Sequence, residues 1–98
     1  MLIKIIKTYR DVIAICDKEL LGKKFEEGKF QLDVKESFFK GEKTSEAEVI
    51  NIMRQMSGED STFNIIGEKS VNAAIKAGIL SEQEINKIQN VPFAIILA

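Results

Sequence analysis

Cys16 and Asp17 are the first residues of this sequence whose types and positions could support chemistry. They end the apolar run Val12–Cys16 and begin a polar segment, so the thiol would lie at a strand end beside the start of a helical turn. The backbone dipole at such a start can lower the pKa of a thiol and make it a nucleophile. In the alternative, Cys16 is a small buried hydrophobic residue and Asp17 caps the turn. The negative charge of Asp17 favours the neutral thiol and therefore the structural alternative.

A second candidate site combines two aromatic rings with several lysines. Adjacent aromatic and cationic side chains can stack and hold the unpaired bases of single-stranded RNA. The candidate binding residues are Lys23, Lys24, Lys35, Ser37, Phe38, Phe39, Lys40 and Lys43. In the alternative, one ring lies in the core and the other covers the edge of the sheet.

The distribution of charge along the chain gives little support to RNA binding by this basic segment. Residues 1–43 carry ten basic and eight acidic side chains, whereas residues 44–98 carry four and seven, and the whole chain has a formal net charge of −1. The acids Asp33, Glu36 and Glu42 are interleaved with the lysines. A chain so balanced offers no general attraction for nucleic acid or for an anionic membrane.

Residues 64–68 form a third candidate, because Asn64, Gly67 and Glu68 would lie between a strand and a helix. An anion can bind the free backbone amides at the start of a helix. Only one glycine is present, however, and Glu68 already places a carboxylate at that positive end. We therefore expect a structural turn here.

Four carboxylates in the first half could act as acids or bases or could hold a hard metal ion. They are Glu19, Glu26, Glu27 and Glu36. The chain has no histidine and one cysteine, so it cannot build a four-ligand zinc site or a nucleophile activated by histidine. The sequence predicts neither a cofactor nor a metal, and an enzyme is the least favoured class.

The location of the protein follows from its apolar segments and its cysteine count. Charged residues interrupt the first sixteen positions, and the closing run of eight residues is far shorter than the about 20 residues of a spanning helix. One cysteine permits no internal disulfide, which suits a reducing compartment. We expect a cytoplasmic protein without a membrane partner.

The elements that must position these residues begin with a β-hairpin. With 98 residues, 45% apolar and 30% charged, the chain fits one globular domain over residues 1–98. Residues 2–7 and 12–16 predict the hairpin, and its second strand is apolar at every position, as in a central strand covered on both faces. Residues 17–22 predict one helical turn capped at both ends.

The middle of the chain is predicted as a strand, a loop and two helices. Residues 29–35 alternate as a half-exposed strand with Phe30, Leu32 and Val34 on one face, and residues 37–41 indicate a turn or loop. A capping box at Ser45 and Glu48 predicts a helix over about residues 46–57. A second helix covers about residues 68–77 and ends at Gly78.

Short strands are predicted at residues 62–66 and 93–97, the latter with Pro92 just before it. Residues 85–89 are compatible with either a helix or a strand. The fold class is therefore α+β, with a mixed or antiparallel sheet of about four to six short strands and two principal helices.

Four segments, in this order and spacing, resemble a known family. They are residues 16–23, 34–41, 64–68 with Val71 and Ala74, and 91–94. The sequence is similar over nearly its whole length to the archaeal domain of unknown function 424 family, whose members are small, single-domain proteins. The resemblance implies an archaeal cytoplasmic protein, associated with translation, without an assigned activity. Members often carry a histidine after the Val-Pro pair, where this chain has Phe93, so any chemistry of that histidine would be missing here.

Three function classes stay open. The first is a non-catalytic accessory or adaptor protein that binds RNA or a ribonucleoprotein through the basic N-terminal half. The second is a protein-interaction module or homo-oligomer joined through strand edges, in which residues 94–97 add to a partner's sheet. The third is an enzyme that uses carboxylates or Cys16. The sequence favours binding over catalysis, and RNA slightly over a protein partner.

Overall fold

A six-stranded mixed sheet forms the centre of the structure, a computed structural model that describes residues 1–58 and 60–97. In chain order its strands are β1 (Leu2–Ile6), β2 (Asp11–Cys16), β5 (Glu42–Lys43), β6 (Ser61–Ile66), β7 (Asn86–Ile88) and β8 (Val91–Leu97). The remaining strands, β3 (Lys24–Glu27) and β4 (Phe30–Asp33), form a separate hairpin. The helices are α1 (Glu36–Phe39), α2 (Glu46–Met56) and α3 (Glu68–Ala77), with 3-10 turns at Lys18–Leu20 and Glu82–Glu84. The predicted α+β class and its two principal helices are confirmed.

The spatial order of the sheet is β5-β1-β2-β6-β8-β7, so β2 is central. It pairs antiparallel with β1 and parallel with β6. The side chains from Ile13 to Cys16 are all buried, as expected for a strand with both faces covered. The predicted first hairpin and its position are confirmed.

The two long helices pack on one face of the sheet, here called the helix face. Ile13, Ile15 and Phe63 of the sheet meet Met53 of α2 and Val71 of α3 in one buried cluster. The Ser45 hydroxyl accepts from the Glu48 amide at 3.3 Å, and Gly78 ends α3 in the left-handed conformation. The Ser45 half of the predicted capping box and the predicted end of α3 at Gly78 are therefore present.

The opposite face of the sheet, here called the second face, is covered at one end only. Leu32, Val34 and Phe39, from β4 and the α1 region, cover the row that contains Cys16 and Ile66. The next rows on this face are Lys4, Ala14, Asn64 and Ile95, and then Ile6, Val12, Thr62 and Leu97. All four side chains of the last row are half-buried or exposed. The second face therefore leaves open apolar surface, greatest along β8.

Local predictions were wrong where a tertiary contact decides the structure. Residues 36–39 form a single helical turn where the sequence indicated a turn or loop, and the buried Phe39 ring anchors this turn to the sheet. Phe30 is 72% exposed rather than buried with Leu32, because it pairs with Glu27 at the tip of the β3–β4 hairpin. Pro92 lies within β8 rather than before it. The undecided residues 85–89 contain strand β7.

Candidate functional site

The Asp17 carboxylate caps α3 rather than the turn that follows it. Because β2 and β6 are parallel neighbours, the residues that follow them meet at the same end of the sheet. Asp17 Oδ1 accepts from the Ser70 amide at 2.9 Å and from Ser70 Oγ at 2.7 Å, and Oδ2 accepts from the Lys69 amide at 3.1 Å. The predicted cap on the 3-10 turn is wrong, since that turn has no side-chain cap. Asp17, only 4% exposed, instead joins β2 to α3.

This contact also changes the account of the candidate anion site at Asn64–Glu68. The amides that would bind an anion at the start of α3 already donate to Asp17. Glu68, which the sequence suggested as the neutralising group, is exposed. Asn64 lies elsewhere, half-buried on the second face. The structural turn predicted here is therefore stabilised by a carboxylate from a distant part of the chain.

Cys16 is not poised as a nucleophile. Its side chain is buried on the second face under the α1 region. Burial, and then the charge of Asp17, raise the pKa of the Cys16 thiol to about 11. A thiol must be ionised to attack an electrophile, so this environment makes Cys16 part of the core.

We expect Cys16 to resist alkylation in the folded protein. At about pH 8, iodoacetamide should label it only as fast as the chain unfolds, whereas the denatured chain should be labelled completely within minutes. Folding raises the pKa of the Cys16 thiol from its ordinary value of 9.0 to about 11, because the buried thiol is kept neutral. The stability that this neutral thiol contributes is therefore fully present below pH 9.0 and is lost as the pH rises toward 11. Mass spectrometry of the alkylated protein measures the labelling. Rapid stoichiometric labelling of folded protein would contradict this account.

A groove on the second face collects five of the sequence-predicted residues. It has a volume of about 540 Å³, and Lys35, Ser37, Phe38, Phe39 and Asn64 are among its lining residues. The two rings pack edge to face with centroids 5.0 Å apart. Phe39 is buried and Phe38 is half-buried, so only Phe38 offers ring surface to a ligand. One ring therefore lies in the core, as the structural alternative expected, and the other lines the groove.

The other predicted lysines do not join this groove within the described residues. Lys24 lies on β3 in register with Asp33, and Lys43 lies on the edge strand β5. Contact with the Lys43 ammonium lowers the pKa of Lys18, so these two cations are neighbours. The remaining two predicted lysines, Lys23 and Lys40, are exposed. These four lysines therefore lie outside the groove that Phe38 lines.

A group of exposed and half-buried apolar side chains lies along β8 and beside it. We call it the β8 strip, and it consists of Phe30, Phe93, Ile95 and Leu97. Ile95 is 67% exposed and Leu97 is 72% exposed, and both project from the second face with Phe93. Phe30 and Phe93 line the same pocket beside β7. The sequence pointed to residues 94–97 as a docking strand but not to Phe30, because the alternation of Phe30 with Leu32 indicated burial.

Within the described residues, the outer edge of β8 is unpaired from Ala94 to Leu97. Strand β7 pairs with β8 only from Val91 to Phe93. The Pro92 carbonyl accepts from the Gly67 amide on the β6 side, so the alternation of a strand directs the backbone N–H and C=O groups of Ile95 and Leu97 outward. Exposed edges are commonly protected by a charged side chain or a proline, and the segment from 94 to 97 has neither.

The candidate carboxylates have structural contacts or face solvent. Glu26 accepts from Gln31 at 2.8 Å, and Glu27 accepts from the Gln89 amide at 2.9 Å, which ties the β3–β4 hairpin to the turn after β7. Glu19 and Glu36 are exposed. Across residues 1–58 and 60–97, no three Cys, Asp or Glu side chains come close enough together to hold a metal ion. Among the helices described, none has the length and apolar character needed to cross a membrane.

Comparison with known proteins gives relatives without an activity. Residues 6–98 match the model of a family described as Protein of unknown function (DUF424). The fold is similar to the crystal structure of an uncharacterized conserved protein from Methanopyrus kandleri, with a TM-score of 0.85 and 26% sequence identity over 98% of this chain and 90% of that one. No curated protein matches the chain at a significant level.

Proposed function

Because this chain belongs to the DUF424 family, as its sequence segments indicated, and the family has no assigned activity, we propose a function from the geometry of its surface. The protein is a non-catalytic interaction module that binds an extended segment of a partner protein along β8. This is the second of the three function classes that the sequence left open. A cytoplasmic location remains a prediction.

This proposal rests on one observation. The exposed side chains of Ile95 and Leu97 belong to the part of β8 whose outer edge is unpaired within the described residues. A strand that adds to a sheet edge gains affinity from its backbone hydrogen bonds and specificity from alternate side chains. Here the open backbone groups belong to Ile95 and Leu97, the same residues whose side chains are exposed on the second face. One extended peptide could satisfy both the edge and the apolar strip. Large exposed apolar patches commonly mark interaction sites.

The interior chemistry supports binding rather than catalysis. Asp17 accepts three hydrogen bonds from Lys69 and Ser70, so its oxygens are already engaged. Cys16 is buried, and burial raises the pKa of its thiol to about 11. The groups most suited to chemistry therefore serve the fold.

An RNA-associated accessory role is the second candidate, and the groove supports it. Phe38 could stack on an unpaired base, the Asn64 amide could bond to the base edge, and Lys35 could approach a phosphate. The Lys4 side chain also lies beside this groove, because its Nζ donates to the carbonyl of the lining residue Ser37 at 2.9 Å. We rank this candidate second because Phe39 is buried and the other predicted lysines lie outside the groove.

Introducing charge into the β8 strip should abolish partner binding. From a lysate of the source organism, we expect the double variant Ile95→Lys/Leu97→Lys to capture less than about a tenth of the partner protein that the wild-type chain captures. Each lysine would have to lose its water against an apolar partner surface, at a cost of more than about 2 kcal/mol. Tagged proteins and quantitative mass spectrometry of the captured proteins give this measurement.

The matched control is Ile5→Lys, which makes the same change at a 40% exposed isoleucine on β1, near Ile52 of α2. It should capture as much partner as the wild type. Nuclease treatment and about 0.5 M salt separate the two candidates, because contacts to RNA phosphates weaken steeply with salt. Equal capture by the wild type and the strip variant, or material lost entirely on nuclease treatment, would sink the protein-binding proposal.

A further inference from the structure

We propose that the strand that docks on β8 is β8 of a second copy of this chain, so that two central sheets join antiparallel about a two-fold axis. This inference rests on the proposed function, because it names the partner of the same edge. Three observations support it: the backbone N–H and C=O groups of β8 that have no partner in the described residues, the apolar side chains that would face each other, and the size of the β8 strip.

The open backbone groups select one register. In an antiparallel pair, two opposed residues of a hydrogen-bonded pair exchange both N–H···O bonds. A register centred on Ile96 pairs Ile95 with Leu97 of the second copy, and Leu97 with Ile95 of the second copy. A register centred on Ile95 would instead require the outward groups of Phe93, which β7 already covers through Asn86. Of these two, only the register centred on Ile96 uses edge groups that are free in the described residues.

The side chains brought together by this register are complementary. On the second face, Ile95 would lie opposite Leu97 of the other copy. On the helix face, Ile96 would lie opposite Ile96 of the other copy. Every opposed pair is aliphatic, so no like charges meet across the junction. A two-fold interface requires a patch that complements itself, and a neutral apolar edge does so. No charged side chain of Val91–Leu97 selects a different partner.

The extent of the strip indicates a reversible dimer. Ile95 and Leu97 are about two-thirds exposed, and pairing would cover the flank of each side chain that meets the second copy. Two short edges and four aliphatic side chains give less than the roughly 800 Å² per partner of a standard stable interface. The dimer population should therefore rise with protein concentration over the micromolar range and above.

Sedimentation velocity of the full-length chain from about 5 µM to about 1 mM tests this inference. The wild type should shift toward twice the monomer mass as its concentration rises. Ile95→Lys should raise the concentration of half-dimerisation by more than about tenfold, whereas Ile5→Lys should behave as the wild type. The thermal midpoint of each variant verifies folding, and both replaced side chains are substantially exposed.

A cysteine pair tests the register separately. A mixture of Ile95→Cys and Leu97→Cys chains should form the mixed disulfide faster than either variant links to itself, because these positions are directly opposed only between different residues. The native Cys16 is buried and does not compete.

The failure of this inference is distinguishable from failure of the proposed function. A wild-type chain that stays monomeric at about 1 mM, or dimers that persist in Ile95→Lys, would overturn the second copy as the partner. If a monomeric wild type still captures a lysate protein that the strip variant loses, the edge binds another protein. If both experiments fail, neither proposal survives.

Discussion

Replacing Gly67 with alanine should lower the free energy of unfolding by about 3–5 kcal/mol, among the largest effects of single substitutions. Gly67 has a φ of +109°, a region that costs a residue with a side chain about 1–3 kcal/mol. An added Cβ would also lie 2.6 and 2.7 Å from the two Asp17 oxygens and would displace that buried carboxylate from α3. The thermal midpoint should therefore fall by more than about 12 °C, measured by circular dichroism.

Gly78→Ala is the matched control, because it lies at the other end of the same helix. Gly78 also has a positive φ, +81°, but an added Cβ there would meet no atom within 4 Å. Only the conformational cost, about 1 kcal/mol, should appear. Equal losses in the two variants would contradict steric displacement of Asp17.

Replacing Asp17 with alanine should cost about 2–4 kcal/mol, well above an ordinary N-cap substitution. The change leaves the amides of Lys69 and Ser70 and the buried Ser70 hydroxyl without their acceptor. Asp17→Asn should fall between alanine and the wild type, because a single amide oxygen cannot accept at both carboxylate positions. Denaturant unfolding measures all three free energies.

Ser45→Ala provides the control for this cap. Its hydroxyl makes one exposed 3.3 Å bond at the start of α2, so the loss should be at most about 1 kcal/mol. The double variant Gly67→Ala/Asp17→Ala should cost clearly less than the sum of the single changes, because the second change removes the clash of the first. Additive losses, or an Asp17→Ala loss no larger than that of Ser45→Ala, would refute the account of the buried cap.

The elements that sequence predicted best are those whose signals are local. The apolar run that ends at Cys16 requires cover on both faces, and the structure gives it a central strand. The caps at Ser45 and Gly78 fix a helix end through neighbours within a few residues. Such features follow from periodicity and backbone preference without knowledge of the rest of the fold.

The features that sequence missed depend on residues far apart in the chain. Asp17 bonds to Ser70, 53 positions away, whereas its spacing indicated a local cap. Phe30 has the alternation of a buried residue but lies at a hairpin tip outside the main sheet. The sequence did point to residues 94–97 as a docking strand, but it could not show that β7 stops short of them. The strand order of the sheet was needed to show which residues of β8 have an unpaired edge.

The measurement that tests the central claim most directly is the ratio of partner protein captured by the wild type to that captured by Ile95→Lys/Leu97→Lys. It should be made after nuclease treatment and at about 0.5 M salt, where contacts to nucleic acid are lost. Binding along β8 predicts a ratio above about ten, with Ile5→Lys equal to the wild type. A ratio near one, with both variants folded, would contradict it.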